Sequence, residues 1–306
     1  MRERGHLRIG VYGNLTLDEL ERNGRRIVRP GGTALYSSLA AAYFGANVSI
    51  VSNIGRDYPR EVLSRIERRG VNVEGIRVSD EKTTRFRISY VGSSRILELI
   101  HPGRKLIPHN GSNPFQSIHL GPVFSETGLD ILKHARRRTR FLSIDLQGLL
   151  RRTDEKGRVR LVKRNIEPYL ADCNLVKATE DEARVLFRTK SLISIARKLL
   201  HAGPEYVLIS RGRRGSVLVD GRMGVLRVPS FQENKAIDPT GAGDILLGSW
   251  LATFQSIRDV RWANAVGAAF ASLSMRRFGL SKFRLSRREL FQRASWILLH
   301  SRRFAP

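Results

Sequence analysis

The feature that most constrains the fold is a rhythm in which short, apolar, β-branched runs recur along the chain with helical patterns between them. That alternation is the signature of a mostly parallel sheet with crossover helices. The runs that read as buried strands are Leu7–Val11, Val48–Val51, Ser117–Leu120, Phe141–Ile144, Leu175–Lys177, Tyr206–Ile209 and Ser216–Val219. The helical patterns fall near Ala34–Phe44, Arg60–Arg69, Thr127–Arg136, Glu180–Phe187 and Ser191–His201. No linker rich in Pro, Gly or Ser divides the chain and no internal repeat is visible, so residues 1–306 read as one α/β domain. At 41% hydrophobic content over 306 residues, the chain is long enough to bury a core.

Two segments break the rhythm: 15–28, and 83–100 with its alternating RFRISYVGSSRILELI. The second predicts a hairpin around Gly92-Ser93-Ser94, wet on one face, and together the two segments predict a small β lid projecting from the main sheet. From about Ala242 onward the pattern is helical, through GAGDILLGSWLATF, VRWANAVGAAFASLSM and SRRELFQRASWILLH, which predicts a packed helical layer.

Charge and cysteine content bound the function classes. The chain has 54 Lys+Arg against 28 Asp+Glu, a formal charge of +26. The arginines are spread through the sequence as pairs such as Arg68-Arg69, Arg213-Arg214 and Arg302-Arg303, so the pattern predicts a solvated basic surface and leaves nucleic-acid binding as the competing use. The single cysteine, Cys173, excludes an intramolecular disulfide framework and reads as a small core residue. The N-terminal stretch lacks the apolar run of a secretory signal, and no segment approaches the ~20 apolar residues of a membrane span. A cytoplasmic protein is expected, without a membrane partner.

Neither G-x-x-x-x-G-K-[ST] nor a G-x-G-x-x-G opening a helix after the first strand is present, so a phosphate must be held by another device. DPTGAGD, residues 238–244, supplies one. Gly241 and Gly243 permit positive φ and close approach, and the apolar run that follows begins a helix at its amino end, where N–H groups and the helix dipole favour an anion. An acid here, Asp244, would repel a phosphate unless it works as a general base on an attacking hydroxyl. The alternative is that Asp244 caps the helix.

DPTGAGD and its apolar helix resemble the C-terminal signature of the ribokinase family, the PfkB carbohydrate kinases, and PGGTALYSSLAAAYFGANVSIVSNIGRD, residues 30–57, is similar to that family's N-terminal signature. The resemblance continues through LISRGRRGS and WANAVGAAFASLS over nearly the whole chain. It implies a ribokinase-like three-layer α/β/α fold and transfer of the γ-phosphoryl of ATP, with Mg²⁺, to a hydroxyl of a small polyhydroxylated substrate. Asp244 would be the base, and the amides of Gly241, Ala242 and Gly243 an anion hole; Asp238 would fix the turn. The family's Asn-x-x-Glu, which organises Mg²⁺ through water, corresponds to Thr179 and Glu182 in KATEDEA, where a Thr-x-x-Glu capping box is an equal reading.

By the same resemblance Ser210 and Gly212 line the phosphate and ribose side of the nucleotide, and Asn264 with Gly267 lies near its base; each also reads as a turn or packing residue. Asp18 would hold substrate hydroxyls, and Gly31-Gly32 would allow close approach. Tyr36 stands where the family usually has Asn, and DLQGLLR places Asp145 and Gln147 at the carboxyl end of a strand. With Thr179 and the proline of DPTGAGD, these residues resemble the inositol kinase branch and imply a polyol, sugar or cyclitol such as myo-inositol as the partner. A nucleoside kinase of the same fold, with Tyr36 or Tyr90 stacking on a base, is the alternative, and an inactive relative that binds nucleic acid through its basic surface is a third. A monomer or homodimer is expected.

Overall fold

The computed structural model describes residues 7–304 apart from 23, 24, 92, 93, 110, 112, 113, 188, 190, 223 and 235, so the tip of the expected hairpin at 92–93 lies outside the described residues. The first strands are β1 (Arg8–Tyr12), β2 (Thr16–Arg22), β3 (Arg25–Gly31), β4 (Asn47–Gly55) and β5 (Val71–Ser79). They are followed by β6 (Thr84–Val91), β7 (Ser94–His101), β8 (Phe115–Leu120), β9 (Thr139–Asp145), β10 (Arg151–Thr153) and β11 (Val159–Leu161). The last are β12 (Leu175–Thr179), β13 (Tyr206–Ser210), β14 (Ser216–Asp220), β15 (Gly224–Val228) and β16 (Arg302–Phe304).

The main sheet runs β16-β15-β14-β13-β12-β9-β8-β1-β4-β5. From β13 to β5 every neighbouring pair is parallel, and the three strands beyond β13 are antiparallel. The parallel strands read as near-continuous apolar runs because both faces are covered. In β13, Leu208 enters one core while Val207 and Ile209 enter the other, and in β9 Phe141 and Leu142 divide the same way. The first core is closed by helices Thr33–Tyr43, Ala242–Ile257, Val260–Ser274 and Arg287–Leu299. Helices Leu129–Arg137, Glu180–Leu186 and Leu192–His201 close the second, which also holds Cys173, whose thiol burial pushes up to about 12.

The two segments that broke the sequence rhythm form a four-stranded sheet, β3-β2-β6-β7, whose two antiparallel hairpins are joined by a parallel β2–β6 contact. Asp57, at the end of the 30–57 signature, ties this lid to the main sheet by accepting hydrogen bonds from the amide and hydroxyl of Thr83 at 2.9 and 2.7 Å. Strands β5, β15 and β16 escape the sequence reading. β5 is a half-exposed strand at the sheet edge, and β16 is a three-residue exposed segment that pairs back onto β15, so neither carries an apolar run.

Small residues let the C-terminal helices close on the sheet. A Cβ on Gly248 would lie 2.2 Å from the carbonyl oxygen of Ser37, and one on Gly267 would lie 2.6 Å from that of Leu246. The Ser37 hydroxyl donates to the carbonyl of Asp244 at 3.0 Å, so the same interface joins the glycine helix of the N-terminal signature to the first turn of the C-terminal one. Gly248→Ala is therefore expected to cost about 1–3 kcal/mol by forcing two backbones apart. The denaturant midpoint measures it, and an unchanged midpoint would contradict the close approach.

Candidate active site

Helix Ala242–Ile257 starts from Gly241, whose φ of 76° is open to glycine at little cost. A side chain there is also excluded by space, since a Cβ would come within 2.4 Å of the Tyr36 ring. The turn is fixed from below as expected: Asp238 accepts from the amide of Thr240 at 3.0 Å. Ala242, expected as an anion-hole donor, instead donates its amide to the Pro239 carbonyl at 3.1 Å and is held within the turn. Among the described residues the amides of Gly241 and Gly243 have no such partner, and they open beside the positive end of the helix dipole.

Asp244 makes no capping hydrogen bond; the residue at the N-cap is Gly241. The capping alternative therefore fails, and the carboxylate instead lines a cleft at the carboxyl ends of the strands. Burial raises its pKa to about 6, with Lys177 pulling it down, Asp145 pushing it up and Thr33 favouring the ionised form. A base in this range accepts a proton near neutral pH and can pass it on.

Lys177 is the residue that the sequence reading passed over, taking it as the end of a buried strand. Its ammonium is 2.6 Å from Asp145, in a pair that is almost wholly buried. Burial opposes the charge, yet Asp145, Glu182 and Asp244 together hold the lysine above its ordinary value. A Cβ on Gly243 would sit 3.1 Å from the lysine nitrogen, so the ammonium lies beside the anion-binding turn and lines the cleft. The available signal was a lysine inside an apolar run one element away from several acids, since a fully buried lysine without a paired role is rare.

The facing wall comes from the lid. Thr16, Asp18, Phe86, Ile88 and Leu97 line the cleft there, opposite Tyr36, Gln147, Arg151 and the 239–244 turn. Asp18 is nearly buried and accepts from the Thr16 hydroxyl at 2.9 Å. Gly31 earns its place by proximity, because a Cβ would lie 2.3 Å from Asp18, and Gly32, at φ 93°, begins the glycine helix. Tyr36 is buried, and its phenol is held well above its usual range by burial and by Asp18, Asp238 and Asp244. Asp145 departs from expectation. It is fully buried, its oxygens accept from Lys177 and from the Gln147 amide, and it lies behind the lysine, not on the cleft wall. The side chain of Tyr90 lies outside the described residues.

Thr179 pairs in register with Ser210, so the Glu180–Leu186 helix and the turn at Gly212 share one edge. Ser210 donates to the Ala178 carbonyl at 3.4 Å, and Gly212 has a φ of 54° with open space around it. Asn264 and Gly267 do not line the cleft: Asn264 is fully buried and donates to the Ser216 hydroxyl at 3.1 Å, and Gly267 is the helix-packing contact described above. The Thr179–Glu182 capping box is present, with Glu182 accepting from the Thr179 amide at 2.7 Å. Burial and then Asp145 raise the Glu182 pKa. Among the described residues no cluster of three His, Cys, Asp or Glu could cage a metal unaided. Glu182, buried near Asp145 and Lys177 with one oxygen committed to the cap, is the acid that would be left to hold Mg²⁺, an ion that keeps most of its ligands as water and substrate phosphates.

No helix among the described residues is long and apolar enough to cross a membrane. Residues 5–286 match the family described as pfkB family carbohydrate kinase. The chain is 25% identical over 277 residues to the cytidine kinase of Thermococcus kodakarensis, covering 88% of this chain and 96% of the relative. It is 24% identical over 293 residues to the inositol 3-kinase of Arabidopsis thaliana, covering 91% of this chain and 76% of the relative. Among solved structures, a pyrophosphate-dependent kinase in the ribokinase family, complexed with a pyrophosphate analog and myo-inositol, superposes with a TM-score of 0.77 at 22% identity over 93% of this chain and 99% of its own. With the family signature spanning almost the entire chain and the ribokinase-like architecture beneath it, this protein belongs to the pfkB family of carbohydrate kinases.

Proposed function

We propose that this kinase transfers the γ-phosphoryl group of ATP to a hydroxyl of a small polyol or cyclitol, the whole chain acting as one catalytic unit. The observation that carries the reading is that Asp244, the glycine turn and the Lys177 ammonium face one cleft whose opposite wall presents Asp18. Asp18 accepts hydrogen bonds from substrate hydroxyls and orients the acceptor. Asp244 takes the proton as the acceptor oxygen bonds to phosphorus and the bridging oxygen departs with the donor. The amides of Gly241 and Gly243, with Lys177, stabilise the charge on the transferring group, the kind of preorganised donation that contributes several kcal/mol. Glu182 would hold Mg²⁺ through water, and the metal would neutralise donor phosphates. A cleft of about 220 Å³ is below the size of a typical drug-sized pocket and suits a single-ring acceptor.

A second reading, a nucleoside kinase, is favoured by the apolar patch of Phe86, Ile88 and Leu97 on the lid and by the length of the match to a cytidine kinase. The two separate in a panel of inositols, pentoses, hexoses and nucleosides, each with ATP and with pyrophosphate. Turnover of a polyol or cyclitol with ATP is expected; turnover confined to nucleosides favours the second reading. Salt-sensitive binding of duplex DNA without turnover of any acceptor would overturn both.

Asp244→Asn is expected to lower kcat by about 10²–10⁴-fold. It should also raise the melting temperature at pH 7.5. The folded pKa of about 6 lies above the ordinary value of 3.8, so the ionised acid destabilises the fold above pH 6 and this penalty fades as pH falls toward 4. An activity close to wild type would rule Asp244 out as the base. Lys177→Met removes the cation that holds Asp244 down, so the acid limb of kcat/KM should move to higher pH. It also strands Asp145, costing about 3–5 kcal/mol of stability. A limb that stays in place would separate Lys177 from the base.

A further inference from the structure

One buried cation plays no part in the chemistry above. Lys282 lies on the turn Gly279–Phe283 and is fully buried. Its ammonium donates to the main-chain carbonyl of Asp238 at 2.6 Å and lies 3.3 Å from the Asp238 carboxylate. Asp238 is itself buried, and its other oxygen accepts from Thr240 at the entrance to the glycine turn. The amides of Ile237 and Asp238 both donate to the carbonyl of Met275, at 2.7 and 3.0 Å, so the strap before the turn is fastened on two sides. Burial works against the charge on Lys282 and Asp238 supports it, while Arg29 opposes it.

A well-packed apolar side chain at such a position is often as stabilising as a buried ion pair, so stability alone does not account for the lysine. Its location does. Asp238 places a negative charge at the base of a turn whose task is to meet a phosphoryl group, and without a counter-charge that carboxylate would oppose the anion. We propose that Lys282 is a positioning residue for phosphoryl transfer, cancelling the charge of Asp238 and anchoring its carbonyl so that the Gly241 and Gly243 amides stay aimed at the transferring group. The proposal rests on the kinase reading of that turn.

Lys282→Met and Lys282→Ala test it. Both variants are expected to fold, by circular dichroism and thermal melting, and to lose about 10²-fold in kcat, the scale of an ångström-sized misplacement at a reacting centre. The acceptor KM should change little. Ammonium or methylammonium should restore part of kcat to Lys282→Ala in a saturable manner, because the truncated side chain leaves a site lined by the Asp238 carbonyl and carboxylate. Lys282→Met, which fills that space, should not respond. The proposal is overturned by a folded Lys282→Met with kcat close to wild type, by a folded Lys282→Ala that amines do not rescue, or by loss of fold in both variants, which would make the lysine a structural core residue. Wild-type protein that turns over no acceptor defeats the kinase reading separately. Amide exchange then decides the tether: faster exchange at Thr240 in Lys282→Met supports it, and unchanged exchange overturns it.

Discussion

The contact on which the cleft depends is the buried ion pair between Lys177 and Asp145, 2.6 Å long, which joins adjacent parallel strands. Three acids converge there: Asp145 from β9, Glu182 from the helix Glu180–Leu186 after β12, and Asp244 from the first turn of the helix Ala242–Ile257. Without the lysine they would repel one another in a low-dielectric interior and take up protons. With it, Asp145 is neutralised, Glu182 stays in its capping box, and Asp244 is left as the acid that opens to the cleft with a pKa near neutrality. One cation thus sorts three carboxylates into different roles.

That arrangement needs the C-terminal helix to lie close to the N-terminal one. Gly248 against Ser37, and the Ser37 hydroxyl on the Asp244 carbonyl, bring the two signatures into one site although they are separated by about 200 residues of chain. Gly241 against Tyr36 adds a second contact of the same kind. A glycine in such a place is required by a neighbouring backbone or ring, and at Gly241 by the positive φ as well.

The excess of arginine is managed by sharing. Glu180 accepts from Arg184, Arg211 and Arg214, and Arg276 and Arg293 both contact Glu233 and Glu289. With acids outnumbered almost two to one, Glu180, Glu233 and Glu289 each gather more than one guanidinium group. Networks of this kind matter more than isolated surface pairs because an ordered side chain serves more than one partner. Arg211 and Arg214 are held by Glu180 beside the turn at Gly212.

The parallel sheet, its crossover helices, the lid segments and the glycine turn were legible in the sequence because each has a local cause: apolar run length, alternation, or glycine at a required spacing. The capping box of Thr179 and Glu182 and the turn-fixing role of Asp238 were legible for the same reason, since both bond within a few residues. What only the tertiary structure decided was which polar groups share a cavity. It set Asp145 behind Lys177 instead of on the cleft wall, sealed Asn264 against Ser216 of β14 and Gly267 between helices, and drew Lys282 under a turn more than 40 residues away. Burial and charge partnership are properties of the packed chain, and no local pattern encodes which distant side chain will fill the remaining space.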